Sequence, residues 1–147
     1  MSTLFSRSTE YAIQAMLYLA TKPPGERTLI KEIAPKLEIP IHFLAKILQT
    51  LSRKGLLISI KGPNGGFALG RPANEITLLQ IVEIFDEPGF LDNCVIGLPK
   101  CSSDHPCPLH PTWADLKERI KNMLADESIE HLMKNSGDER GISKITV

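Results

Sequence analysis

The chain has 147 residues, 42% of them hydrophobic, which is enough for one packed domain and excludes a disordered chain. No run of about 18 apolar residues occurs, so we expect no membrane-spanning helix, and the first residues lack the apolar core of a signal peptide, so we expect a cytoplasmic protein. The cysteine count of three argues against a disulfide framework.

The formal net charge of zero hides an asymmetry between the two halves of the chain. Residues 1–71 contain ten Lys/Arg and four Asp/Glu, a net of +6, whereas residues 72–147 contain seven Lys/Arg and thirteen Asp/Glu, a net of −6. A basic half joined to an acidic half indicates that the first half binds a polyanion such as nucleic acid, although uneven surface charge also arises by chance.

The first periodic segment predicts a helix over residues 8–22, ended by the Pro-Pro-Gly run at 23–25. Its apolar face consists of Ala12, Ala15, Met16 and Leu19. A second, shorter helix is predicted after Thr28, whose side chain can cap a helix N-terminus. Pro35 falls inside this segment and is expected to shorten or distort the helix. The apolar face of the second helix consists of Ile30, Ile33, Ala34 and Leu37.

A third helix is predicted from Pro40, which is tolerated in a first helical turn, to about Lys54, with Gly55 after its end. Its apolar face comprises Phe43, Leu44, Ile47, Leu48 and Leu51. The opposite face has no acidic residue, and its side chains all donate hydrogen bonds that suit a phosphate or a base edge: His42, Lys46, Gln49 and Arg53. A solvated face is the commoner explanation of such a stripe, so the residues that follow it matter.

A β-hairpin is predicted directly after this helix. Leu56, Ile58 and Ile60 alternate with Leu57, Ser59 and Lys61, as in a half-buried strand. Residues 62–66, Gly-Pro-Asn-Gly-Gly, form a turn, and residues 67–69 return as a second strand. Two helices and a following hairpin are typical of a winged helix-turn-helix, with Lys61 and Arg71 placed to meet phosphates or the minor groove. A phosphate-binding enzyme loop is a weaker interpretation of the glycines, because no helix and no Walker lysine follow them.

In the acidic half, Thr77 and Gln80 form a capping box that begins a helix packed on the winged-helix core. Pro111 is predicted to open the longest helix, whose apolar residues lie near heptad spacing: Trp113, Leu116, Ile120, Met123 and Leu124. Such a stripe is covered either by a partner or by its own subunit. A short helix over 128–134 and a frayed polar tail are predicted to follow.

Between these helices, a proline-rich loop carries every cysteine of the chain, at Cys94, Cys101 and Cys107, followed by His110. Thiolates select zinc, copper(I) or iron–sulfur clusters, and imidazole suits zinc and iron. Structural zinc sites usually contain CxxC pairs, which are absent here, so the wide gaps favour a cluster over zinc. Metal-free oxidation of the thiols is a third possibility. No catalytic triad order or dinucleotide fingerprint occurs, so we predict that the chain is not an enzyme.

Three segments carry a resemblance to a known family: STEYAIQAMLYLA, LIKEIAPKLEIPIHFLAKILQTLSRKGLL and ISIKGPNGGFALGRPANEITLLQIVEIFDEP. Over about residues 4–133 the chain resembles the Rrf2 family of bacterial winged-helix transcriptional regulators. The resemblance implies a mainly α fold with a small β-hairpin wing and a long C-terminal dimerisation helix. It also implies a homodimer that binds partly palindromic double-stranded DNA and usually represses transcription. The expected parts are a winged helix-turn-helix domain (1–87), a Cys-rich cluster loop (88–110), a dimerisation helix region (111–134) and a flexible tail (135–147).

The resemblance is to the cluster-binding, IscR- and NsrR-like type, which implies that Cys94, Cys101 and Cys107 hold an iron–sulfur cluster. His110 matches the histidine that completes a 2Fe–2S site in IscR-like members, although the Cys94–Cys101 gap here is longer than theirs. Glu10 lies where NsrR-like members supply a carboxylate from the partner subunit to a 4Fe–4S cluster. We favour His110 and 2Fe–2S. The implied function is a repressor whose operator binding responds to redox, nitric oxide or iron–sulfur status, with a zinc- or thiol-based regulator of the same fold as the alternative.

The predicted DNA-binding residues come from the third helix and the wing. Where IscR-like members place a glutamate on the recognition helix this chain has Ala45, so its operator is expected to differ from theirs. The predicted contacts are His42, Phe43, Lys46, Gln49, Arg53, Lys61, Asn64, Gly65 and Arg71.

Overall fold

The protein is seen in a computed structural model that describes residues 4–86, 94–98, 103–104 and 106–135. In that part of the chain the architecture is mainly helical with a two-stranded antiparallel hairpin, as predicted. A 3-10 turn spans Ala73–Glu75. The helices and strands are α1 Arg7–Ala20, α2 Ile30–Leu37, α3 Ile41–Arg53, β1 Leu57–Ile60, β2 Gly66–Leu69, α4 Leu78–Phe85, α5 His110–Asp126 and α6 Ile129–Asn135.

α1 is the central helix of the core and packs against α2, α3, α4, α6 and β2. The face predicted to be apolar is buried along its whole length. The side chain of Ser6 accepts a hydrogen bond from the Thr9 N–H and caps the helix, which therefore begins one residue earlier than predicted. The other large, fully buried core side chains include Ile33, Leu44, Leu48, Leu51, Ile76, Ile81 and Ile129.

The end of α1 is tied to α2 by a polar cluster around Glu32. The Glu32 carboxylate accepts hydrogen bonds from the Lys22 ammonium at 2.9 Å and from the Tyr18 hydroxyl at 2.8 Å. These bonds, first the one from Lys22, lower the pKa of Glu32, while burial and the Glu32 contact raise the pKa of Tyr18. The helix that precedes the helix-turn-helix is therefore held to it by charge as well as by apolar packing.

The start of α2 differs from the prediction, because Thr28 does not cap it. Leu29 is the N-cap residue and makes no side-chain capping bond. The backbone of Thr28 is paired instead with Phe67 of β2, through two N–H···O bonds of 2.9 Å each. The Thr28 carbonyl is used in this pairing, and the Leu29 carbonyl instead accepts the first helical bonds, from the Glu32 and Ile33 N–H groups, so α2 starts later. Pro35 lies inside α2, which is only eight residues long.

The turn between α2 and α3 contains a residue with unusual backbone geometry. Glu38 has a φ of 56°, the one non-glycine residue with positive φ in the described part of the chain. The N–H groups of Glu38 and Ile39 bond back to the carbonyls of Pro35 and Ala34. This left-handed cap reverses the chain within one residue, so that α3 can pack across α2.

The hairpin has the predicted position but not the predicted alternation. Its register pairs Leu57 with Leu69 and Ile60 with Gly66. Leu56 and Leu57 are both buried, whereas Ile58 is 47% exposed. The alternation fails at its start because Leu56 lies in the turn that caps the end of α3, where its N–H bonds to the Leu51 carbonyl. The strand begins only at Leu57.

Two glycines of the wing are required by close backbone contacts. A Cβ on Gly65 would lie 2.1 Å from the Ile60 carbonyl oxygen. Gly66 has a φ of 136°, and a Cβ there would lie 2.7 Å from the Thr28 carbonyl oxygen. The turn at 62–65 is closed by a bond from the Gly65 N–H to the Gly62 carbonyl.

The C-terminal helices return to the core. α4 begins with the predicted capping box between Thr77 and Gln80. The Leu78 N–H bonds to the Glu127 carbonyl, and the Ile129 N–H bonds to the Ile76 carbonyl, so the end of α5 is clamped to the start of α4. Leu124 is buried within its own subunit. The predicted tail lies outside the described residues beyond Asn135, and no described helix is long and apolar enough to cross a membrane.

Replacing Glu38 tests the geometry of the helix-turn-helix. A left-handed conformation costs an L-residue about 1–2 kcal/mol, a cost that glycine does not have. Glu38→Gly should therefore be more stable than Glu38→Ala by about 1 kcal/mol in urea denaturation, since both variants lose the same side chain. An alanine variant as stable as the glycine variant would show that this turn is not strained.

Candidate nucleic-acid interface and cysteine loop

α3 separates its two faces as the sequence predicts. His42, Lys46, Gln49 and Arg53 are exposed, and the opposite residues Leu44, Ile47, Leu48 and Leu51 are buried. The exposed face can donate hydrogen bonds at each turn of the helix, as a helix in a major groove requires. Ala45 lies between these positions and is half-buried.

Phe43 was predicted both for the apolar face and for DNA contact, and the structure places it on the surface. The side chain is 37% exposed, so it is not part of the core. Its ring packs edge-on against Tyr11 of α1, with ring centroids 5.5 Å apart. The Phe43 ring is therefore packed against α1 on one side and exposed to solvent on the other.

The predicted wing residues lie at two ends of the hairpin. Lys61 and Asn64 are exposed at the tip, where Gly65 contributes buried backbone. Arg71 follows β2 at the base of the hairpin, with its guanidinium close to Gly55. It also lines a cleft of about 270 Å³ with Gln80 and Glu83. Their contacts with DNA stay predictions.

Arg27 is a residue that the sequence did not point to. Its Nη1 donates a hydrogen bond to the Asn64 carbonyl at 3.2 Å, across a sequence separation of 37 residues. No periodic pattern or motif includes position 27. The signal that could have indicated it is Gly66, since a glycine in a strand often marks the close approach of another backbone segment.

The structure brings together two of the three predicted cysteine ligands. Cys94 and Cys107 are free thiols, both buried. The side chain of Cys107 hydrogen-bonds to that of Cys94. Cys101 lies outside the described residues. Sulfur ligands to one centre must lie close together, and this pair does so.

The backbone around Cys94 is arranged to hold a thiolate. Gly97, with a φ of 87°, closes a tight turn in which its N–H bonds to the Cys94 carbonyl at 3.0 Å. Burial raises the pKa of the Cys94 thiol, but hydrogen bonds from the backbone of Ile96 and Leu98, from the Cys107 side chain and from the Gly97 backbone together lower it below its ordinary value. The thiolate is the form that binds metals.

The two candidates for a fourth ligand lie on different helices, α5 and α1. His110 is the first residue of α5, and its N–H bonds to the Cys107 carbonyl at 2.9 Å. Glu10 is half-buried in the first turn of α1. Asp86 leads into the loop and accepts a 2.6 Å hydrogen bond from Thr9, the neighbour of Glu10. Among the residues described, no three His, Cys, Asp or Glu side chains form a group that could hold a metal ion. The choice of fourth ligand therefore stays a prediction.

Comparison with known proteins identifies the family of this chain. The profile of the Rrf2 family, described as iron-dependent transcriptional regulators, matches residues 5–135. The chain belongs to the Rrf2 family. It is 36% identical over 132 residues to a protein of Aquifex aeolicus named as an HTH-type transcriptional regulator, covering 88% of this chain and 91% of that one. It is 33% identical over 125 residues to the HTH-type transcriptional regulator IscR of Xenorhabdus nematophila, covering 85% and 76%.

Solved structures show the same fold. CymR, the global cysteine regulator of B. subtilis, superposes with a TM-score of 0.77 at 24% identity, covering 92% of this chain and 98% of that one. The IscR of T. potens superposes with a TM-score of 0.70 at 21% identity, covering 89% and 86%. These comparisons confirm the predicted family and winged-helix fold. They also confirm that this Rrf2 protein is a transcriptional regulator and not an enzyme.

The backbone hydrogen bonds at Cys94 of this Rrf2 protein can be tested by site-resolved alkylation of the reduced, metal-free chain. We expect the alkylation rate of Cys94 to reach half its maximum at a lower pH than that of an ordinary cysteine. Leu98→Pro removes one N–H donor and should move that midpoint to higher pH, because the thiolate loses a hydrogen bond.

Leu98→Ala is the matched control, because it keeps the N–H and shortens a side chain that is already exposed. Its midpoint should equal that of the wild type. Equal midpoints for the proline and alanine variants would contradict the role of the backbone.

Proposed function

We propose that this Rrf2 protein represses transcription by binding a partly palindromic operator as a homodimer. The observation that carries the proposal is the exposed, acid-free donor face of α3 next to an exposed wing tip, in a chain of this family. α3 enters the major groove with His42, Phe43, Lys46, Gln49 and Arg53, and the wing meets the backbone or the minor groove with Lys61, Asn64 and Gly65. Arg71 contacts phosphate from the base of the hairpin.

The dimer is supported by a stripe on α5. Leu109, just before the helix, and Leu116 are each 47% exposed, and Met123 is 48% exposed. These three residues are spaced by seven, with half-buried Trp113 and Ile120 between them. Apolar residues in such heptads form the contact seam of paired helices. Leu124, which was predicted for the same stripe, faces the core of its own subunit instead.

The connections of α5 suggest how the cysteine loop acts on DNA binding. The end of α5 is clamped by the Leu78–Glu127 and Ile76–Ile129 backbone bonds, and its start is bonded to Cys107. A rearrangement of the loop therefore moves the start of α5, and with it the paired helix of the other subunit. The separation of the two recognition helices must match the helical repeat of DNA, so small shifts change operator affinity.

We propose that Cys94, Cys101, Cys107 and His110 hold a 2Fe–2S cluster, with Glu10 of the other subunit and a 4Fe–4S cluster as the alternative. The residues fit such a group, since backbone N–H groups stabilise the Cys94 thiolate and the buried Cys107 thiol lies beside it. When bound, the cluster supplies a centre that reacts with oxidants and nitric oxide. A cluster bound there would order the loop, and two of its sulfur ligands, Cys94 and Cys107, would be buried.

A zinc site or metal-free thiol chemistry is the second candidate for the same loop. The thiolate-stabilising turn at Cys94 also suits zinc. The S. aureus CymR, solved in an oxidised form, shares the fold with a TM-score of 0.71 at 21% identity. Metal and sulfide analysis of anaerobically purified protein distinguishes the three chemistries.

The dimer seam is tested by placing charges in it. Leu116→Glu combined with Met123→Glu should convert the dimer into a monomer in light-scattering chromatography, because carboxylates at facing heptad positions repel each other and lose water. Ile58→Glu, at an equally exposed apolar residue on β1, should remain a dimer. A double variant that stays dimeric would place the interface elsewhere.

Cluster binding is tested by anaerobic reconstitution with iron and sulfide, followed by absorption and Mössbauer spectroscopy. His110→Ala should lose the cluster, whereas Glu10→Ala and the surface control His131→Ala should keep it. His131 is exposed and bonded to Glu127, so it controls for the loss of an imidazole. Loss in Glu10→Ala alone would identify the carboxylate as the ligand.

The same preparations test sensing through their affinity for the promoter of the protein's own operon. We expect the affinity with and without the cluster to differ by about tenfold or more, which corresponds to about 1.4 kcal/mol. Equal operator affinity with and without the cluster would contradict the proposed sensing role, but not the proposed DNA binding.

A further inference from the structure

We propose that Arg27, which lies outside both the helix-turn-helix and the wing in sequence, is a phosphate-contacting residue at the wing tip. The inference rests on the proposed binding of DNA. It adds to the interface a cation from the segment between α1 and α2, which none of the predicted contacts includes. Its ligand is the DNA backbone rather than a base edge.

The first support is the pairing that holds this segment against the hairpin. Thr28 and Phe67 exchange both backbone hydrogen bonds at 2.9 Å. The Thr28 carbonyl lies so close to Gly66 that a Cβ would be 2.7 Å from its oxygen. Arg27, the residue before Thr28, is therefore held near the wing by the backbone contacts of Thr28 with Gly66 and Phe67, and not only by its own side chain.

The second support is the position of the guanidinium. Arg27 Nη1 bonds to the Asn64 carbonyl at 3.2 Å, in the turn that Lys61 and Gly65 flank. The Arg27 side chain is otherwise exposed, and within the described part of the chain its polar contact is this bond to Asn64. A guanidinium is a planar fork, so one edge can bind a carbonyl while the other N–H groups bind a phosphate.

The third support comes from the surrounding charges. Glu26 is the neighbouring carboxylate, and its N–H bonds to the Pro23 carbonyl. No ion pair between Arg27 and a carboxylate occurs among the described residues. Ordering an arginine side chain costs conformational entropy, and a single solvent-exposed hydrogen bond offsets little of that cost. A purely structural role therefore does not explain well why an arginine occupies this position. Next to Lys61, the charge completes a basic wing tip.

Salt dependence of DNA binding tests the proposal on the full-length protein. The probes are a labelled duplex from the promoter of the protein's own operon and a scrambled duplex of the same composition. A lost phosphate contact reduces the slope of log K against log salt by about 0.9 and weakens binding by the same factor on both duplexes. Arg27→Ala removes one contact from each subunit of the proposed dimer, so the slope should fall by about 1.8 and both duplexes should bind more weakly. Arg27→Lys, which keeps the charge, should keep the wild-type slope.

Lys134→Ala is the matched control, because it removes an exposed cation on α6 that is paired with Glu130. It should bind as the wild type does. An unchanged slope in Arg27→Ala would overturn the proposal even if affinity falls, since this result means that Arg27 only positions the wing. An unchanged melting temperature for Arg27→Ala excludes misfolding as the cause of a loss. Failure of the wild type to bind either duplex would remove the proposed function itself, and the inference with it.

Discussion

The burial of α1 is the constraint on which the rest of this structure depends. Ala12 and Ala15 are fully buried and small, so other elements approach the helix closely. Five elements pack around it, and among them are the recognition helix, the hairpin and the C-terminal helix. The orientation of the recognition helix and of the hairpin is thus set by contacts with one helix. The apolar burial of that helix contributes about 25 cal/mol for each Å² removed from water.

The same helix carries polar connections at both ends. At its start, Asp86 accepts hydrogen bonds from the Ser6 N–H and the Thr9 hydroxyl, which fixes the point where the cysteine loop departs. At its end, Lys22 and Tyr18 hold Glu32 of the helix-turn-helix. The cysteine loop and the helix-turn-helix are therefore joined by hydrogen bonds to opposite ends of the same helix.

The elements that depend on local pattern were predictable from sequence. The period of the apolar residues places α1, α3 and α5, and the capping box at Thr77 places α4, because these signals act within a few residues. The features that sequence missed are long-range. The local sequence around Thr28 is typical of a helix cap, and its pairing with Phe67 has no local signal. Arg27 contacts Asn64 only in the folded chain. At the cysteine loop the sequence predicts the types of ligand. It does not predict the backbone N–H donors around Cys94, because any residue type can supply them.

The contact between Ile129 and the core has a consequence for how the protein is made. Ile129 is fully buried against residues from the first half of the chain, and its N–H bonds to Ile76. The apolar site that it fills stays open during synthesis until Ile129 has left the ribosome. A nascent chain that already has its recognition helix and its cysteines thus lacks a closed core until Ile129 has been added and can pack.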